Sequence, residues 1–213
     1  MITGLTTGAE MRVTGSGALA VVCANGGQGH EVPGTWSATL EWLVERLAPR
    51  FPAIRFGEVR YRVKSWKRLD WCIEDARAAI EDLGSLRTLL LGFSMGGAVS
   101  IAAADDSHVE GVLGLGPWIP DRLDVSTLRG KRLDVIHGAL DRWLPGIPGV
   151  SPSSSRRGFE RARTAGAEGC YRTIPGAVHG VAVRGPGDRV LPLPRAARWA
   201  ELVGAELERF QSS

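Results

Sequence analysis

Short apolar runs alternate along the chain with segments in which apolar side chains recur three or four residues apart. The apolar runs predict buried strands at residues 18–24, 54–61, 86–93, 109–115, 133–137 and 170–174. The helical spacing predicts amphipathic helices within residues 36–47, 73–83, 95–104, 159–164 and 196–210. Strands and helical segments therefore follow one another along most of the chain.

Strands that are apolar on both faces need packed helices on both sides of their sheet. The sequence therefore predicts an α/β fold with a mostly parallel, doubly wound sheet and helices on both faces. Two stretches rich in Gly, Pro and Ser, at residues 145–155 and 180–194, are predicted to be loops within the same alternation. Neither stretch marks a boundary, so a single domain is predicted over residues 1–213.

The composition is that of an ordinary globular protein, with 44% hydrophobic and 23% charged residues among 213. The net charge of +3 is spread along the chain and no nucleic-acid-binding motif is found, so nucleic acid is not an expected partner. The N-terminus lacks a basic start followed by an apolar run, and the uncharged stretch at residues 88–104 is interrupted by glycines and serines. We therefore expect neither a secretory signal nor a membrane partner.

The three cysteines, Cys23, Cys72 and Cys170, lie far apart and form no Cys-x-x-Cys or Cys/His cluster. Neither a zinc site nor a disulfide framework is predicted from this spacing. Reduced thiols are typical of a cytoplasmic protein, and that location is expected here.

The sequence Gly-Phe-Ser-Met-Gly-Gly at residues 92–97 lies between a predicted strand and a predicted helix. A strand that turns sharply into a helix holds its turn residue in a strained conformation, which requires small neighbours such as Gly92 and Gly96. The hydroxyl of Ser94 would then project above the carboxyl ends of the strands, where open α/β sheets bind ligands. Ser94 is therefore the candidate nucleophile.

This strand, turn and helix resemble the nucleophile elbow of the α/β-hydrolase family, and the resemblance covers nearly the whole chain. It implies a triad in the order serine, acid, histidine. His179 lies in a loop after the last predicted strand, downstream of every candidate acid, and would be the base. Asp141, in the segment His-Gly-Ala-Leu-Asp at residues 137–141, resembles the family's His-Gly-x-x-Asp pattern and would be the acid that orients it.

Other residues leave alternatives for the acid and the base. Asp121 and Asp124 follow the preceding strand and are the fallback acids, because some members of the family place their acid there. Among the remaining histidines, His137 is predicted to be packed inside a strand and His108 to be exposed. His30 follows a Gly-rich turn and is assigned either to the rim of the pocket or to no role.

The resemblance also implies an oxyanion hole made of two backbone amides. One would be the amide of Met95, and the other would come from the turn Asn-Gly-Gly-Gln-Gly at residues 25–29, at Gly27 or Gln28. We choose Gly27, with Gln28 as a substrate-binding residue. Asn25 stands where the family often has histidine. A dinucleotide-binding Gly-x-Gly-x-x-Gly pattern fails at Val32.

Members of the family often carry a lid domain between the sixth and seventh core strands. In this chain the corresponding interval, residues 117–131, is too short for a lid domain, so an open cleft is expected. Trp66, Trp118 and Trp143 all fall in loops at this end of the sheet. Trp118 and Trp143 are assigned to substrate binding, with cover of the core edge as an equally weighted alternative.

A run of basic residues flanks the end of the second predicted strand. Such a run indicates either a binding site for an anionic substrate or, more often, a surface that is simply exposed to solvent. Its members are Arg60, Arg62, Lys64, Lys67 and Arg68.

These features together predict a lidless serine hydrolase that resembles dienelactone hydrolases or carboxylesterases and cleaves a small ester or thioester through an acyl-enzyme. Ser94 departs from the cysteine that dienelactone hydrolases often carry, which favours an esterase. No metal or organic cofactor is expected. The alternatives are an acyltransferase or biosynthetic thioesterase with the same triad, and a non-catalytic binding protein on the same fold.

Overall fold

A computed structural model describes residues 1–141 and 149–213. The described strands are β1 (Ile2–Gly4), β2 (Glu10–Thr14), β3 (Leu19–Ala24), β4 (Val32–Pro33), β5 (Ile54–Arg60), β6 (Val63–Lys64), β7 (Thr88–Phe93), β8 (Val109–Leu115), β9 (Arg132–Gly138), β10 (Tyr171–Ile174), β11 (Ala182–Arg184) and β12 (Val190–Pro192). The described α-helices are α1 (Ala38–Leu47), α2 (Leu69–Leu83), α3 (Met95–Ala103), α4 (Pro152–Thr164) and α5 (Ala196–Ser212). No helix in residues 1–141 and 149–213 has both the length and the apolar character needed to cross a membrane.

Eight strands form one sheet in the order β1-β2-β5-β3-β7-β8-β9-β10. The pairs β1–β2 and β2–β5 are antiparallel, and the strands from β5 to β10 pair in parallel. Ala24 pairs with Gly92, Phe93 with Leu115, and Gly138 with Ile174. The carboxyl ends of the central strands therefore meet at one edge, where ligands bind in open α/β sheets. The prediction of a mostly parallel α/β sheet is confirmed.

Apolar side chains of the central strands fill a core on each face of the sheet. Val22 and Leu90 pack in a cluster with residues of α2, α3 and α4, whereas Val21 and Leu91 pack in a second cluster with residues of α1 and α5. Successive side chains of a strand point to opposite faces, so consecutive apolar residues supply both cores. This arrangement explains why these strands are apolar on both faces.

The sequence interpretation missed the short and edge strands. In β2 the alternation Glu-Met-Arg-Val-Thr buries only Met11 fully, so no continuous apolar run marks this strand. Residues 180–194 contain the β11–β12 hairpin, although the composition predicted a loop without strands, and 170–174 is therefore not the last strand. Residues 145–155 were also predicted to be loop, but α4 begins within them at Pro152, because proline is well suited to the first turn of a helix.

A buried ion pair connects the edge of the sheet to the helices. Arg12 on β2 donates two hydrogen bonds to Glu58 on β5, with N–O distances of 2.9 and 2.7 Å, and one of 2.9 Å to Glu41 on α1. Arg184 on β11 also donates to Glu41. Burial raises the pKa of the Glu58 carboxyl, and the hydrogen bonds from Arg12 offset only part of this effect.

We predict that Arg12→Met lowers the free energy of unfolding by about 3–5 kcal/mol at pH 7, because Glu58 would keep a buried charge without its main partner. The loss should shrink as the pH falls through the raised pKa of Glu58, since a protonated carboxyl is buried at lower cost. Urea denaturation at pH 7 and pH 4 measures both effects. The control Arg198→Met removes an exposed pair with Glu201 and should cost less than about 1 kcal/mol. Equal small losses for the two variants would contradict the prediction.

Candidate active site

Ser94 occupies the sharp turn between β7 and α3. Its backbone has φ 55° and ψ −117°, a region that costs about 1–3 kcal/mol for a residue with a side chain. A Cβ on Gly92 would lie 2.3 Å from the carbonyl oxygen of Gly96, and a Cβ on Gly96 would lie 2.0 Å from the carbonyl oxygen of Ala24. Glycine is therefore required at residue 92 for the end of β7 to approach α3, and at residue 96 for α3 to approach the end of β3.

Backbone hydrogen bonds hold the elbow against the end of β8. The Ser94 amide donates to the carbonyl of Leu115 at 3.0 Å, and the Ser94 carbonyl accepts from the amides of Gly97 and Trp118, both at 2.9 Å. Hydrogen bonds to α3, to the end of β8 and to the loop after β8 therefore fix the backbone of Ser94. Ser94 itself is 8% exposed.

His179 and Asp141 form a short hydrogen bond at the same edge of the sheet. His179 lies in the loop after β10 and Asp141 in the loop after β9, and His179 Nδ1 is 2.6 Å from Asp141 Oδ2. The carboxylate accepts, so Nδ1 carries the proton and Nε2 of the neutral ring keeps its lone pair. The Asp141 side chain is 1% exposed and that of His179 is 11% exposed. The arrangement leaves His179 able to take a proton from the cleft side.

Asp141 keeps its charge although it is buried. Burial alone raises the pKa of the Asp141 carboxyl, but contacts with His137 and His179 outweigh burial and hold that pKa below its ordinary value. The other oxygen, Oδ1, accepts from the backbone amide of Val150 at 2.9 Å. Asp141 is therefore an ionised carboxylate at neutral pH.

Gly116 brings the histidine–aspartate pair next to the elbow. Gly116 directly follows Leu115, the partner of the Ser94 amide, and a Cβ on Gly116 would lie 3.1 Å from Asp141 Oδ2 and 3.4 Å from His179 Nδ1. The rings of Phe93 and His179 are 5.0 Å apart between centroids. Ser94, His179 and Asp141 thus surround the end of β8. The sequence reasoning missed Gly116, although a glycine at a strand end is the signal for such a close approach.

The fallback acids lie elsewhere. Asp121 is 86% exposed in its side chain and pairs with Arg161, and Asp124 accepts a hydrogen bond from the amide of Ser126. His108 is exposed beside Asp106, as predicted. His30 is exposed in the loop after β3.

The turn after β3 approaches the first residue of α3. A Cβ on Gly27 would lie 2.3 Å from the sulfur of Met95 and 2.5 Å from the ring of Trp66. Asn25 is buried, donates from Nδ2 to the carbonyl of Thr35 at 2.7 Å, and accepts at Oδ1 from the amide of Gly26 at 2.7 Å. The amide side chain therefore holds this turn from both sides where the family often has histidine.

Two half-buried tryptophans flank this part of the site. The rings of Trp66 and Trp118 are 6.4 Å apart between centroids, and Trp66 lies against Gly27. Gln28 is exposed, and its carbonyl accepts from the amide of Trp66 at 3.0 Å. Trp143 lies outside the described residues.

The basic run at residues 60–68 is largely compensated by acidic side chains that are distant in sequence. The pairs are Arg60 with Glu10, Arg62 with Asp75 and Glu74, and Arg68 with Glu31. This pairing favours the solvated face over an anion-binding site.

A group of three side chains that could ligate a metal lies away from the elbow. Side-chain ligand atoms of Asp134, Cys170 and Glu206 lie within 4.8 Å of one another. Arg132 and Arg209 pair with these carboxylates, and burial raises the pKa of the Cys170 thiol to about 11. The group is an ion-pair network, in which the arginines already occupy the oxygens that a metal would need.

No protein-family model and no curated protein matches the sequence. Solved structures match it closely in fold. An alpha-beta serine hydrolase homologue from Coxiella burnetii matches with a TM-score of 0.63 and 16% identity over 93% of this chain and 91% of that chain. An esterase from Exiguobacterium antarcticum matches with a TM-score of 0.68 and 14% identity over 97% of this chain and 98% of that chain. A thermophilic esterase from Thermogutta terrifontis matches with a TM-score of 0.62 and 16% identity over 94% of this chain and 86% of that chain.

Residues 116–131 between β8 and β9 contain only loop and one short 3-10 helix. The chain therefore has the α/β-hydrolase fold, without a lid domain in that interval.

Proposed function

We propose that the protein is a serine hydrolase that cleaves a small ester or thioester through an acyl-enzyme, with Ser94, His179 and Asp141 as its triad. The observation that carries this proposal is the 2.6 Å contact between His179 Nδ1 and Asp141 Oδ2 beside a strained serine elbow. A buried carboxylate that orients a histidine next to a serine is the arrangement that activates an alcohol. The esterases among the similar folds are in keeping with this proposal.

In the first step, Ser94 Oγ attacks the acyl carbon while His179 Nε2 takes the hydroxyl proton. The imidazolium that forms is stabilised by the ionised Asp141, which does not itself take the proton. His179 then gives the proton to the leaving alcohol or thiol, and the carbonyl reforms as the acyl-enzyme. Water attacks this ester in the second half of the reaction, with His179 again as base, and the acid and free Ser94 are released.

The amides of Met95 and Gly27 would hold the negative oxygen of each tetrahedral intermediate. Met95 is the first residue of α3, so its amide has no acceptor within the helix and lies at the positive end of the helix dipole. Gly27 lies in contact with Met95, and Asn25 holds the turn that carries it. Preorganised donors of this kind supply a large part of the catalysis of acyl transfer.

The substrate would bind between the elbow and the two tryptophans. Trp118 donates its backbone amide to Ser94 and places its ring 6.4 Å from that of Trp66, so both rings offer apolar surface beside the nucleophile. Gln28 and Trp143 complete the proposed substrate-binding set. Within the described residues, the short interval between β8 and β9 supplies no lid over this side, which fits a small ester.

The proposed reaction needs no metal or organic cofactor, because side chains and backbone amides provide the nucleophile, base and oxyanion donors. We place the protein in the cytoplasm. Cys23 and Cys72 are buried free thiols, as expected for a protein kept in reducing conditions.

We predict that a fluorophosphonate probe labels the wild-type protein and that Ser94→Ala abolishes labelling and lowers the turnover of p-nitrophenyl acetate about 10⁴-fold or more. Mass spectrometry of the labelled peptide identifies the modified residue. The control Ser100→Ala removes a buried hydroxyl of α3 whose oxygen has no hydrogen-bond partner among the described residues, and it should keep full labelling. Equal labelling of Ser94→Ala would contradict the assignment.

The same assay separates the alternative functions. Hydrolysis should release one equivalent of free acid per p-nitrophenol even when an alcohol acceptor is added. An ester of the added alcohol as the main product would indicate an acyltransferase. A protein that binds substrate but neither turns it over nor takes the probe would be a non-catalytic member of the fold.

For the acid, we predict that Asp141→Asn lowers kcat by about 10⁴-fold, because the amide would stabilise the wrong tautomer of His179. Asp121→Asn removes an exposed carboxylate and should leave kcat unchanged. Steady-state kinetics with p-nitrophenyl acetate and circular dichroism of each variant measure the effect and the fold. A fully active Asp141→Asn protein would reject Asp141 as the acid.

For the binding wall, we predict that Trp118→Ala raises KM for p-nitrophenyl butyrate about 10-fold, the loss that follows removal of one aromatic contact face. The control Trp71→Ala removes a tryptophan that packs on α2 against Arg62 and Arg68. Labelling of Ser94 by the probe should persist in both variants. An unchanged KM in Trp118→Ala would assign this ring to cover of the core edge.

A further inference from the structure

His137 lies on β9, four residues before Asp141 in the chain, and its side chain contacts the Asp141 carboxylate. It is fully buried on β9, and its Nε2 is 3.1 Å from Asp141 Oδ2, the same oxygen that accepts from His179. Nε2 is also 3.0 Å from the carbonyl oxygen of Val150, whose own amide donates to Asp141 Oδ1. His137, Val150 and Asp141 therefore close a small ring of polar contacts around the carboxylate.

The surroundings of His137 decide its tautomer. Both neighbours of Nε2 are acceptors, so this nitrogen carries the proton. Nδ1 is buried and has no hydrogen-bond partner within residues 1–141 and 149–213.

The packing around the ring keeps it in place. The ring of Tyr171 on β10 stacks on that of His137, with 5.9 Å between centroids and 14° between planes. The guanidinium carbon of Arg156 on α4 lies 4.2 Å from the ring centre of Tyr171. Within the described residues, the ionisable groups that face His137 are therefore Asp141 and Tyr171, with His179 and Arg156 one contact further away.

We propose that His137 is a positioning residue of the site, whose Nε2–H donates to the Val150 carbonyl and lies 3.1 Å from Asp141 Oδ2, and so sets the charge and orientation that the carboxylate presents to His179. This inference rests on the proposed function, because it assigns the means by which the acid of that triad is held. It goes beyond packing, since a buried apolar side chain of the same size fills the space without donating a proton. The sequence spacing of four residues between His137 and Asp141 across a strand end is what allows the contact.

An N–H group 3.1 Å from Oδ2 draws negative charge away from the hydrogen bond between Oδ2 and His179. Without that N–H group, the carboxylate interacts more strongly with the His179 imidazolium, and the protonated, inactive form of the base persists to higher pH. The carboxylate also gains freedom to turn, because within the described residues Val150 and His179 would be its remaining donors and Val150 would lose the hydrogen bond on its carbonyl. Both effects act on turnover and not on substrate contact.

The test compares His137→Leu, which fills the space without a donor, with His137→Gln, whose amide can donate to Oδ2. We expect His137→Leu to lower kcat for p-nitrophenyl acetate about 10- to 100-fold, the range that loss of one hydrogen bond to a charged group gives, with KM nearly unchanged. The acidic limb of the kcat/KM pH profile should move to higher pH in His137→Leu and return toward the wild-type position in His137→Gln. Equal profiles for all three proteins would overturn the proposal.

A second measurement does not depend on activity or on the folding of the leucine variant. Proton–nitrogen spectra of wild-type protein labelled with ¹⁵N-histidine should show a proton on Nε2 of His137, with the assignment made by loss of its signals in His137→Gln. A ring that lacks a proton on Nε2 and carries it on Nδ1 would overturn the proposal. Absence of probe labelling in wild-type protein would instead reject the proposed function, so the two failures can be told apart.

Discussion

The site depends on a close approach of backbone at the point where β7 turns into α3. Ser94 has a positive φ, and the turn passes so close to the end of β3 that a Cβ on Gly96 would overlap the carbonyl of Ala24. This contact ties the nucleophile to the turn that carries Gly27. The same elbow hydrogen-bonds to Leu115, next to the histidine–aspartate pair. One crowded turn therefore positions the candidate nucleophile against both the candidate oxyanion donors and the candidate base.

A buried charge is the second constraint on the site. Asp141 remains ionised away from water because N–H groups surround both of its oxygens: His179 donates to Oδ2, His137 Nε2 lies 3.1 Å from the same oxygen, and Val150 donates to Oδ1. The hydrogen bonds that stabilise the carboxylate are the ones that orient His179. Stability of the loop after β9 and the chemistry of the site thus rest on the same contacts.

The sequence predicts those parts of the fold whose side chains face a hydrophobic core. The central strands are apolar on both faces because helices cover both sides, so their runs are visible in the sequence. The edge strands β1 and β2 and the β11–β12 hairpin bury too little to leave such a run, and their pairing partners are distant in the chain. The start of α4 was missed because its first turn carries proline and serines instead of an apolar stripe.

The sequence by itself determined the sheet class and the elbow around Ser94, and it made His179 and Asp141 candidates with Asp121 and Asp124 as alternatives, because glycine spacing and element order are local or follow chain direction. Tertiary structure decided which of the aspartates meets His179, that Trp66 lies against Gly27, and that His137 contacts the acid instead of only filling space. It also showed that acids remote in sequence pair with Arg60, Arg62 and Arg68 of the basic run. These contacts join residues from separate loops, and only the register of the parallel strands brings those loops to one edge.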